Sequence, residues 1–140
     1  MLFAMGMSSQ TAVRSPAEGI TERVDPVSCL DERTLSRASE TGPAGPGRYI
    51  EVQGSERTLL IPVEDEVMHI GRGLSADLHL DESSVSRRHA MLVPRSAGAR
   101  ILDDRSSNGT FVNGRRVQQA DLTNGDVIVI GRVVLRYLEL

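Results

Sequence analysis

The chain has no lysine and no tryptophan, and it holds one cysteine, two tyrosines and two phenylalanines in 140 residues. All 16 basic side chains are therefore arginines, and 19 acidic residues leave a net charge of −3. A bulk nucleic-acid binder needs a strongly basic face with aromatic rings on which bases stack, and neither is present. With Cys29 alone, no internal disulfide can form and no zinc site can be built from cysteines, which suits a reducing compartment. Long apolar runs are missing too. The opening MLFAMGMSS lacks a basic start and is too short for a signal peptide or a membrane span. A cytoplasmic protein with no membrane contact is expected.

What remains is 39% hydrophobic, enough for one small core. Residues 1–47 are rich in Ser, Thr, Pro, Gly and charge, and they end in ETGPAGPG, which sustains neither helix nor strand. They read as a disordered or weakly helical tail and linker. Within them DPVSCLDERTLSRA offers a helix start, with Asp25 as cap and Pro26 in the first turn, but its apolar face of Val27, Leu30 and Ala38 is thin. From Arg48 the character changes. Short β-prone runs alternate with turn signals about every ten residues, the spacing of an all-β sandwich or barrel over 48–140. The candidate strands are RYIEVQ, RTLLIPV, EVMHIG, DLHL, HAMLVPR, ARILDD, TFVN, RRVQQ, DVIVIG and VVLRYLEL. FVNGRRV predicts a type I′ hairpin at Asn113-Gly114, and TNGDVIVI repeats the device at Asn124-Gly125.

Three stretches concentrate polar chemistry at strand ends: HIGRG around Arg72, SVSRRHA around Ser86, and DDRSSNGTFVNG around Asn108. Arg72 and Arg87 carry planar, permanently charged forks that bind phosphate oxygens bidentately. Ser86 and Ser107 add hydroxyl donors, and Asn108 brings an acceptor and two donors on a short stem. Read singly, each has a bland role. Arg72 is a solvated arginine, Arg87 and Arg88 a solubilising turn, His89 a bonded structural residue, and Asn108-Gly109 a turn.

Read together and in this order, GR, then SRRH, then SSNGTFVNG, the pattern resembles the forkhead-associated (FHA) domain family, over Tyr49 to Leu140. The resemblance implies a β-sandwich of about eleven strands that binds phosphothreonine peptides by loops at one end. It also implies roles. Arg72, Ser86, Arg87 and Ser107 match phosphate-binding positions, and Asn108 matches the holder of the peptide main chain. Gly71, Gly109, Thr110, Asn113 and Gly114 match scaffold positions, with His89 bracing the loop from inside. Ser107 stands where the family often has threonine, keeping the hydroxyl and losing a methyl group.

The implied function is a phosphothreonine-dependent interaction module in serine/threonine kinase signalling, neither an enzyme nor a user of cofactor or metal. Its partners are a threonine-phosphorylated protein such as a kinase or its substrate. One rival is a phosphate hydrolase using Asp103 or Asp104 with a histidine, but no nucleophile motif or metal-ligand spacing supports it. Another is an FHA-like scaffold that binds its partner without phosphate. The tail adds a further expectation. Thr11, Thr21, Thr34 and Thr41 are candidate phosphosites, Thr21 and Thr34 foremost, and an extended linker at about 3.3 Å per residue is long enough for intramolecular capture of the phosphorylated tail.

Overall fold

The computed structural model describes residues 24–40 and 45–140. Its strands are β1 (Ser39–Glu40), β2 (Arg48–Gln53), β3 (Thr58–Val63), β4 (Met68–Gly71), β5 (Leu78–His79), β6 (Ala90–Pro94), β7 (Ala99–Asp103), β8 (Thr110–Val112), β9 (Arg115–Val117), β10 (Gln119–Leu122), β11 (Val127–Ile130) and β12 (Val133–Glu139). They form a 7-stranded sheet, ordered β1-β3-β2-β12-β11-β8-β9, and a 5-stranded sheet, ordered β10-β7-β6-β4-β5. Only the β4–β5 pair is parallel among the described residues.

Period-two patterning drives the two sheets together. Met68 and Ile70 in β4, Leu92 in β6 and Ile101 in β7 point inward from one sheet. Ile50, Ile61, Ile128, Ile130, Leu135 and Tyr137 come from the other, and all belong to one buried cluster. Each such aliphatic side chain contributes roughly 1.5–3 kcal/mol on burial. The structure is thus the expected all-β sandwich.

Three local expectations need correction. RRVQQ does not form one strand, because the chain changes sheets at Gln118: Arg115–Val117 pairs with β8, while Gln119–Leu122 pairs with β7. Leu122, 3% exposed, draws the second piece onto the core. The Asn113-Gly114 hairpin is as expected, with φ of 51° and 85° between Val112 and Arg115. Asn124-Gly125 is not a second copy, since it joins β10 to β11 in the opposite sheet and only Gly125 is left-handed, at φ 92°.

The third correction concerns residues 24–40, which pack on the sandwich instead of hanging from it. Asp25 caps a 3-10 turn, Pro26–Cys29, with Pro26 in its first turn as expected. The helix does not continue. Leu30 is extended and bridges Leu80, and Asp31 caps a new helix, α1 (Glu32–Arg37). The thin apolar face becomes sufficient because it is split in two and covered: Cys29 and Leu30 join the core, and Val27, Leu35 and Ala38 pack against it. Thr34 is fully buried, so it is not an accessible phosphosite in this fold. Thr11, Thr21 and Thr41 lie outside the described residues.

Topology gathers the polar loops. β4 ends at Gly71 beside the start of its antiparallel neighbour β6, and Ala90 of β6 faces Asp103 at the end of β7. Across the sandwich, Thr110 at the start of β8 faces Ile130, just before the Gly131-Arg132 turn. One end of the molecule therefore carries loops 72–77, 81–89, 104–109 and 131–132.

Candidate functional site: four loops at one end of the sandwich

Gly71 brings the first two loops into contact. A Cβ there would sit 2.1 Å from the Arg87 carbonyl oxygen, so only glycine lets the 86–87 backbone lie against β4. The main chain then zips, Arg72 N–H donating to Ser86 O at 2.9 Å and Gly73 N–H to Arg87 O at 3.1 Å. Arg72 Nε donates to Val85 O at 2.9 Å, which fixes the base of the fork while the side chain stays exposed. Arg87 is exposed as well. Neither has an ion-pair partner among the described residues, whereas Arg88 Nε lies 3.1 Å from Asp104 Oδ2.

His89 links the second loop to the third. It is fully buried, accepting from Ser86 N–H through Nδ1 at 3.0 Å and donating from Nε2 to Gly109 O at 2.9 Å. Those partners require the neutral ring with its proton on Nε2. Burial pushes the imidazole below its usual 6.5, against the opposing pull of Gly109 O and Asp103. The ring therefore serves as an uncharged spacer. Ser86 Oγ accepts from Ser107 N–H at 2.9 Å, leaving its own proton to donate. Asn108 Nδ2 donates to Ser84 O at 2.8 Å, leaving its carbonyl oxygen and a second N–H.

Asp103 shapes the third loop. Its carboxylate accepts from Ser106 N–H at 2.9 Å, Ser106 Oγ at 2.6 Å and Thr110 Oγ1 at 2.8 Å. Burial alone would raise its pKa, but these donors outweigh it and hold the carboxyl below the usual range. Within the turn Arg105 takes φ 57°, a conformation side chains rarely adopt. Glu82 does similar work for the second loop, accepting from Ser84 N–H and from Arg132 Nη2, both at 2.9 Å. Arg132 N–H in turn donates to Ser84 Oγ at 2.8 Å. The outcome is a rigid rim with exposed arginine forks, hydroxyls and a carboxamide, suited to a multiply charged anion attached to an extended chain.

The sequence pattern of the FHA domain matches residues 68–131. The oxoglutarate dehydrogenase inhibitor of Corynebacterium diphtheriae is 31% identical over 106 residues, covering 76% of this chain and 74% of the inhibitor. The chain belongs to the FHA domain family. An ABC transporter ATP-binding/permease protein of Mycobacterium tuberculosis is 47% identical over 51% of this chain, a match spanning only 8% of the transporter. In a structure from work on phosphothreonine-dependent FHA domain interactions, an FHA domain is 33% identical, with a TM-score of 0.59, covering 66% of this chain and 96% of that one.

In this FHA domain the residues singled out from sequence separate by depth. Arg72, Arg87, Ser107 and Asn108 are exposed and Ser86 is half-buried, all at one rim. His89 and Thr110 are fully buried beneath it. Gly71 makes the close approach, and Gly109 is left-handed at φ 89°. Asn113 and Gly114 stand at the β8–β9 turn, where Asn113 Oδ1 accepts from Val127 N–H at 2.9 Å and Nδ2 donates to Asp126 at 3.0 Å. Sequence reading missed Asp103, Ser84 and Glu82 as organisers. The Asp103-to-Ser106 spacing, an aspartate three residues before a serine whose N–H and hydroxyl it can accept, was the available signal.

Proposed function

We propose that this FHA domain is a phosphothreonine-dependent interaction module, an adaptor in serine/threonine kinase signalling that acts by binding and not by catalysis. One observation carries the reading: Arg72 and Arg87 are exposed, with no ion-pair partner among the described residues, on a rim whose backbone is held in advance by buried His89. A phosphate brings about −1.5 to −2 charges and three acceptor oxygens, which two forks and two hydroxyls satisfy at the surface without burial. Preorganisation lowers the ordering cost of capture. Family membership supports the reading, since phosphothreonine-dependent interactions are described for the similar FHA domain above.

The arrangement around Asp103 favours binding over hydrolysis, because the carboxylate is occupied by Ser106 and Thr110 and is not free to serve as a base. A threonine-phosphorylated kinase or kinase substrate is the proposed partner, and Cys29, a free thiol, suits a cytoplasmic setting. Thr21 is the tail threonine that fits self-capture. The described chain starts beside the rim, where Val24 N–H donates to Arg132 O at 3.3 Å.

The test is a calorimetric titration with a phosphothreonine peptide, its phosphoserine analogue and its unphosphorylated twin, with free phosphate assayed afterwards. Binding of the phosphothreonine form alone, with no phosphate released, is the expected result. Equal binding of the unphosphorylated twin points to a phosphate-independent scaffold, and released phosphate to an enzyme.

A further inference from the structure

The loop that carries Arg72 is irregular, contains Gly73 and ends in a tip where Leu74 is 87% exposed. Such a loop is expected to open easily unless something outside it holds its main chain. The 86–87 backbone holds its first two residues through their N–H groups, and the N-terminal segment holds its carbonyls. Arg33 Nη2 donates to two of the loop's carbonyls, Leu74 O at 3.0 Å and Ala76 O at 3.2 Å. Arg37 Nη2 donates to a third, Asp77 O. Both arginines project from α1, which is itself fastened by the Leu30–Leu80 bridge and by Asp81 N–H donating to Cys29 O at 2.8 Å.

A second line of contact reaches Arg72 itself. His79, buried in β5, donates from Nε2 to Arg72 O at 3.0 Å. Its other ring nitrogen faces Asp31 Oδ2 at 3.7 Å, and the same Asp31 caps α1 through Thr34 N–H at 2.9 Å. The carbonyls of residues 72, 74, 76 and 77 are thus all fixed by α1 or by the histidine that faces its capping Asp31. A guanidinium serves this role well, because a single terminal nitrogen carries two N–H donors and reaches two carbonyls at once.

We propose that the segment Asp31–Arg37 is a brace for the phosphate-binding loop, with Arg33 and Arg37 as positioning residues that set Arg72 without touching the ligand. The proposal rests on the phosphopeptide reading above. A few tenths of an ångström at the base of a charged fork alter how squarely it meets phosphate oxygens, so the segment tunes affinity from outside the rim. The FHA pattern matches from residue 68 onward, so a fragment trimmed to that pattern lacks the brace.

The experiment uses the full chain carrying Arg33→Ala and Arg37→Ala together. Phosphothreonine-peptide affinity, thermal unfolding and backbone hydrogen exchange are measured at high salt, so that the lost field of two charges is screened. Arg33 has a side chain 65% exposed, so the fold is expected to survive with little change in melting temperature. The expected result is exchange that quickens over residues 72–77 and affinity that falls about three- to tenfold, the worth of a hydrogen bond or so. Unchanged exchange over 72–77 overturns the brace. Quickened exchange with native affinity overturns its role in positioning Arg72. Failure of the native chain to bind the peptide is a different result, which removes the function reading on which the proposal stands.

Discussion

Arg72, Arg87 and Arg88 follow one another around the rim, yet their surroundings assign them different work. Arg88 is already paired with Asp104, while Arg72 and Arg87 stand exposed without a counter-charge among the described residues. Arg72→Ala is expected to cost about 2 to 4 kcal/mol of phosphopeptide binding, the range for truncating one partner of a charge-assisted contact, and to leave the melting temperature unchanged. Isothermal titration beside a thermal melt checks both. His89 makes a prediction in the opposite sense. Its pKa is lowered by burial below 6.5, so on unfolding the ring gains protons as the pH falls through that value. Stability therefore declines from about pH 6.5 downward. The lowered carboxylates Asp31, Glu82 and Asp103 start from 3.8 to 4.5, so their loss comes at lower pH. A His89→Asn variant, less stable throughout, should show a flatter melting-temperature profile between pH 6.5 and 5. An identical slope in both proteins would place the titration elsewhere.

Loops become a site only where the strands bring them together, and two substitutions test that. Gly71→Ala puts a Cβ 2.1 Å from Arg87 O, so loops 72–77 and 81–89 must part. A stability loss of about 1 to 3 kcal/mol, the usual cost of overpacking, is expected together with weaker phosphopeptide binding. Asn108→Ala and Asn113→Ala should separate the two Asn-Gly turns. The first removes a rim carboxamide and lowers affinity at constant melting temperature. The second strips the bonds to Val127 and Asp126 at a φ of 51° and lowers the melting temperature first. Much of this was legible in the sequence because strands announce themselves by alternation and hairpins by Asn-Gly at adjacent positions. What escaped depended on tertiary context. Gln119–Leu122 is a strand because β7 offers it an edge, Asn124-Gly125 crosses between sheets, and Leu30 leaves the helical path to meet Leu80. Asp103 looked like a candidate base, and its three donors show it to be a loop clamp.

At the scale of the whole molecule, the sandwich separates core from function: one buried cluster joins the sheets, and the polar rim occupies a single end. The opposite end of the strands, around Arg48 and Gly98, and the outer sheet face around His69 and Met91 have no part in the proposed recognition. Amide chemical-shift mapping on the full chain, titrated with a phosphothreonine peptide, reads the location of binding directly. The largest shifts are expected on Arg72, Gly73, Ser86, Arg87, Ser107 and Asn108, and they are expected to vanish with the unphosphorylated peptide. Shifts centred on the outer face of the 5-stranded sheet, or equal shifts with and without phosphate, would contradict it.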